Sequence, residues 1–201
     1  MKTVLSNKEK VTQQWIAHNL QAPAEAPTSN QIALFFSEHQ CYSGYYSPKA
    51  IATMGRSRTI QYINETIYSF GAHFAIAHFT NNLLAPVLFT SRGYSSSTGH
   101  HKAVVRSELI KNRLNYIEVN NPQASTQDEH LANIIEMRRS IVYTYGKIDR
   151  ARANKPKHIA TLALKVAQHN AYIDAFVPNA VYWDTTTIEQ DMVEAKLGGT
   201  L

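Results

Sequence analysis

The chain has 201 residues, room for one domain with a short appendage, and its 44% hydrophobic and 17% charged content suits a folded globular protein rather than a disordered one. It carries 20 Lys and Arg against 15 Asp and Glu, a net +5 with a pI near 9.3. The single cysteine, Cys41, excludes a disulfide framework and a Cys-rich zinc site, and no run approaches the roughly 18 apolar residues of a membrane span.

Met1 to Lys8 lack an apolar h-region, so no signal peptide is expected and the setting is read as cytoplasmic. Ser6 or Asn7 can cap a first helix that sets Val11, Trp15, Ile16 and Leu20 along one face. Residues 21–30 hold Pro23 and Pro27 with no apolar period and read as a linker. Residues 1–29 are therefore expected to be a helical arm, with Trp15 and Ile16 as an oligomerisation surface.

Residues 30–178 are expected to form one α+β domain: an antiparallel β-meander over residues 31–91, then three helices. The strand candidates are Ile32 to Phe36, Ala50 to Met54, Thr59 to Ile63, Thr66 to Phe70, Ala72 to Phe79 and Leu83 to Thr90. Turns at Gly55-Arg56, Asn64-Glu65, Gly71 and Asn81-Asn82 separate them. Pro86 points to an edge or a bulge for the last strand, and Thr66 to Phe79 also reads as a buried helix. Thr98 can cap a helix running to about Tyr116. Thr126 with Glu129 makes a capping box for the next, and Asn154-Lys155-Pro156 breaks it before a last helix from His158 to Phe176. Residues 179–201 are an acidic tail. Charge divides along the chain, with a net −4 over residues 171–201 and +9 over residues 49–170.

The segment Phe89 to Lys102 ends a strand, runs through a Ser-rich loop and begins a basic helix. Free backbone N–H groups, hydroxyls, Arg92 and Lys102 there suit a phosphate. It is not a Walker A loop, since no Gly-Lys-[Ser/Thr] follows. Tyr94, Ser95, Thr98 and His101 give this segment its character: a strand, an aromatic, Ser, a Ser/Thr run and a His near a helix start. In this it resembles a pattern in small phage-encoded proteins of uncharacterised function, over about a third of the chain. The resemblance implies a phage origin and an infected bacterial host, and carries no catalytic residues. The insertion from Ile60 to Ala85 and the helical C-terminal half depart from the pattern.

Two basic clusters follow. Lys102, Arg106 and Arg113 fall close to one helical face, with Lys111 beside it. Arg138, Arg139, Lys147, Arg150, Arg152, Lys155 and Lys157 then form a dense run opposed by Asp149. Such cations neutralise phosphates, Arg bidentately. Tyr42, Tyr45, Tyr46, Tyr62, Tyr68 and Tyr94 lie in or beside the expected sheet, where exposed rings would stack on unpaired bases and buried ones would be core-edge packing. His73 and His78 diverge on either a strand or a helix, and no His-Glu-x-x-His or paired-Asp motif is present, so no metal or cofactor is expected.

The leading expectation is a non-enzymatic nucleic-acid-binding protein with Arg92, Tyr94 and the two basic clusters as its contacts, RNA or single-stranded DNA being favoured over duplex. The alternatives are a structural or interaction protein, as a homo-oligomer or an inhibitor of a host factor, and a small nuclease centred on His100 and His101.

Overall fold

A computed structural model describes residues 5–20, 54–56, 59–151 and 153–182. Helix α1 (Asn7–Leu20) is followed by strands β1 (Met54–Arg56), β2 (Ile60–Ile63), β3 (Thr66–Ser69), β4 (Phe74–Phe79) and β5 (Val87–Thr90). Then come α2 (Ser96–Lys111), β6 (Ile117–Val119), α3 (Gln127–Arg150) and α4 (Lys155–Phe176). The described strands form one six-stranded sheet in sequential order, antiparallel from β1 to β5 and parallel between β5 and β6. The fold is α+β. The strand expected at Ile32 to Phe36, most of that at Ala50 to Met54, and most of the acidic tail lie outside the described residues.

Local chemistry explains most boundaries. Two tight steps keep residues 66–79 from becoming a helix: Phe70 and Gly71 both sit at positive φ (55° and 76°) and turn β3 through a single 3-10 turn into β4. A bulky residue is strained in that region, and the Phe70 ring is held against His101, with centroids 5.2 Å apart. Helix α2 begins earlier and ends earlier than the sequence suggested. Ser95, not Thr98, is the N-cap, with its hydroxyl accepting from Thr98 N at 3.2 Å, and Arg113 at φ 55° ends the helix so that Ile117–Val119 can pair with β5. The capping box of α3 forms as expected: Glu129 N donates to Thr126 Oγ1 at 3.3 Å and Thr126 N donates to the Glu129 carboxylate at 3.1 Å. Lys155-Pro156 opens α4 rather than delaying it, because proline fits a helix's first turn, where its missing N–H has no partner to lose. β5 lies between β4 and β6 and is an interior strand, not an edge; Pro86 stands one residue before it, outside its ladder.

Period-2 alternation sends Val87 and Phe89 of β5 to one face of the sheet and Leu88 to the other. On the first face α1 and α2 pack over Ile60, Ile67, Ile76 and Phe79. On the second, α3 and α4 cover Leu88, Ile117 and Val119 with Ile134, Met137, Tyr172 and Ile173. The arm expected at the N-terminus is thus part of the core. Trp15 is 0% exposed and Ile16 2%; the indole N–H donates to the Glu65 carbonyl at 2.9 Å and the ring packs 4.7 Å from Phe79. The reason is geometric: α2 alone does not cover this face, and α1 completes it. No helix among the described residues is long and apolar enough to cross a membrane.

Candidate functional site

The cations picked out in sequence fall into two structural groups. Those of α2 point into the protein's own chemistry. Lys102 is half-buried, donates to the Arg92 carbonyl at 2.6 Å and lies 5.8 Å from the Phe89 ring; burial and the neighbouring Arg106 push its pKa down. Arg106 pairs with Glu118 and stacks 4.9 Å over Phe89. Lys111 donates to the buried Glu108 carboxylate at 2.6 Å. Arg113, at the turn that follows, is exposed.

On the α3–α4 hairpin, the two residues nearest its middle are also engaged. Arg138 bonds His169 Nε2 and the Val181 carbonyl, and Arg139 pairs with Glu136. The far end differs. Lys147, Arg150, Lys155 and Lys157 are all exposed, and none makes an ion pair among the described residues. The tight connection between the helices, with Asn154 at φ 61°, brings the end of α3 and the start of α4 to one tip. Arg152 lies outside the described residues. The N-terminus of α4 adds backbone N–H groups and the positive end of its dipole to this tip.

Tyr143, one turn before Lys147, is 60% exposed with the Lys147 ammonium 4.3 Å from its ring centroid. Sequence reasoning passed over it; the signal was its i, i+4 spacing to Lys147. Of the tyrosines proposed to stack, Tyr62 and Tyr68 are buried in the sheet, Tyr94 is 79% exposed, and Tyr42, Tyr45 and Tyr46 lie outside the described residues. Arg92 and Tyr94 stand exposed on the β5–α2 loop, with Tyr94 packed at 5.6 Å against Phe74.

The histidine reading fares differently. His101 is 1% exposed, and both ring nitrogens are taken by hydroxyls: Nδ1 by Ser69 at 2.7 Å and Nε2 by Thr59 at 3.1 Å. Burial, helped by Lys8 and His100, lowers its pKa. Such a ring ties β3 to α2 and has no nitrogen left for a substrate.

One cleft of about 50 Å³ opens at the carboxyl ends of β5 and β6, where Ser91 and Asn120 directly follow the two parallel strands. Ser140 of α3 and Lys165 of α4 meet on its wall, Nζ to Oγ 2.6 Å. Burial is the main cause that lowers the Lys165 pKa. Sequence reasoning selected neither residue; the available signal was a lysine placed between the inward Leu162 and Val166. Among the described residues no cluster of His, Cys, Asp and Glu is grouped to hold a metal ion. Comparisons of the chain with protein-family models, curated proteins and solved structures find no match.

Proposed function

We propose that this protein binds single-stranded nucleic acid through the tip of the α3–α4 hairpin, and that it does so as a binding protein rather than a nuclease. One observation carries the reading: Lys147 and Arg150 at the end of α3 and Lys155 and Lys157 at the start of α4 are exposed and without carboxylate partners among the described residues, with the exposed Tyr143 one turn away. Phosphates are gripped by such cations, and a base stacks on an exposed ring whatever its identity, which favours an unpaired strand. Arg92 and Tyr94 offer a second, smaller contact of the same kind. The phage resemblance of the Tyr94 to His101 segment fits a protein of this sort acting in an infected bacterial cell.

The test is binding of labelled single-stranded RNA, single-stranded DNA and duplex DNA across a salt series. A slope of log K against log salt of about −3 or steeper is expected on single strands, flattened when the four tip cations become Gln. A shallow slope that is the same for every polyanion and for the tip variant overturns the reading.

A second reading has its own support. The outward arc of α4 between Lys157 and Asp174 exposes Ala160, Ala163, Leu164 and Ala167, with Leu164 59% exposed. An apolar helix face of this kind suits a second copy of the chain. Sedimentation of the wild type against Leu164→Glu decides it: a dimer lost in the variant supports self-association, and a monomer in both removes it.

A further inference from the structure

We propose that Ser140 and Lys165 form a nucleophile–base pair for acyl transfer on small uncharged or cationic esters bound in the cleft beyond β5 and β6. This does not depend on the nucleic-acid reading, since neither Ser140 nor Lys165 is among the exposed residues assigned to the strand.

The geometry has the three parts that an activated nucleophile needs. Lys165 Nζ donates to Ser140 Oγ at 2.6 Å and to the Ser140 carbonyl at 3.3 Å, and once deprotonated the same amine takes the hydroxyl proton across the shorter contact. A third group orients the base: Thr144 donates its own O–H to the Ser140 carbonyl at 2.8 Å, which leaves its oxygen to accept from Lys165 Nζ, also at 2.8 Å. Asn120 lines the same cleft, and its side-chain amide is the donor we assign to the developing oxyanion. All of these sit on helices or directly at strand ends, and the carboxyl ends of parallel strands are where ligands enter open sheets.

Lysine works as a base only when neutral. Burial, with Lys147 adding to it, draws the Lys165 ammonium below its ordinary value, while Glu118 and Tyr143 oppose the shift. Substrate charge follows from the walls. Glu118 and Glu136 both face the cleft, each with one oxygen held by an arginine, so an anionic acyl group is repelled and a neutral or cationic one accepted.

In the first half-reaction Ser140 Oγ attacks the ester carbonyl carbon as its proton passes to Nζ. The tetrahedral adduct then collapses and the ammonium returns that proton to the departing alkoxide, giving an alcohol and an acyl-serine. Water attacks the acyl-serine, its proton passes to Nζ and then to Oγ, and a carboxylic acid leaves with Ser140 restored. Ester and water are consumed, and acid and alcohol are formed.

The experiment treats the full chain with an alkyl fluorophosphonate and, separately, with p-nitrophenyl acetate. One equivalent of label is expected, on the peptide containing Ser140, and none in Ser140→Ala. Lys165→Arg keeps a charged tether between the helices but cannot act as a base, so it is expected to melt like the wild type while labelling at least about 100-fold more slowly. Wild-type rates are expected to rise with pH to a plateau whose midpoint lies below 10.5. Absence of label from Ser140, label on another serine, or Lys165→Arg reacting at the wild-type rate each overturns the proposal. Binding of nucleic acid by the same preparations reports on the hairpin tip separately.

Discussion

The α1–α2 side of the sheet and the tip of the α3–α4 hairpin are both rich in cations, yet they treat charge in opposite ways. On the first side Arg106 meets Glu118, Lys111 meets Glu108, and Lys102 lies half-buried on a backbone carbonyl. At the tip Lys147, Arg150, Lys155 and Lys157 face solvent with no carboxylate partner among the described residues. The lesson is that a run of Lys and Arg is not in itself a binding surface. What decides is whether the fold brings a carboxylate within reach, and β6 does so for α2 by placing Glu118 beside Arg106.

The strongest challenge to this contrast is to damage each side and read both stability and binding. Trp15→Ala is expected to cost about 3–5 kcal/mol, lowering the melting temperature by roughly 6–20 °C. Nucleic-acid affinity measured below the transition should stay unchanged. If the melt barely moves, α1 is not part of the core.

Replacing Lys147, Arg150, Lys155 and Lys157 together by Gln should leave the melt in place and reduce the salt slope on a single strand by about 3, near 0.7 per lost phosphate contact. Arg106→Gln is its control on the other side. It loses a half-buried pair and a ring contact, together about 1 kcal/mol, and should leave the slope unchanged. A slope that responds to Arg106 and not to the tip would reverse the assignment of the two regions.

His101→Ala strips the buried Ser69 hydroxyl of a partner and is expected to cost about 1–3 kcal/mol, seen in urea unfolding. The same residue enters a pH dependence. Burial lowers the folded pKa of His78, His101, His130 and His169 below 6.5. The unfolded chain therefore takes up protons at a higher pH than the folded one. Stability is full above about 6.5 and falls as the pH drops through the folded values. Thermal melts from neutral to mildly acid pH should show this decline, less steeply in His101→Ala. Thr126→Ala, a change as small as that of Arg106→Gln, removes one half of the α3 capping box and should cost about 1 kcal/mol.

The sequence by itself determined the features set by neighbours along the chain. Ser125 to Glu129 specify a helix start because hydroxyl and carboxylate reach only a turn away. The alternation of Val87, Leu88 and Phe89 settles which side chains share a sheet face, whereas Pro156, read from the sequence as a break, proved to sit in the first turn of α4. The tertiary structure decided everything that depends on distant partners. It buried Trp15 because the face over Ile60 and Ile76 needed cover, and it drew Ile117–Val119 beside β5 although three residues carry too little pattern to announce a strand. It also set Ser140 against Lys165, 25 residues apart. The same long-range pairing that neutralised Arg106 left the hairpin tip bare. Periodicity shows which residues lie on a face; only packing shows what that face meets.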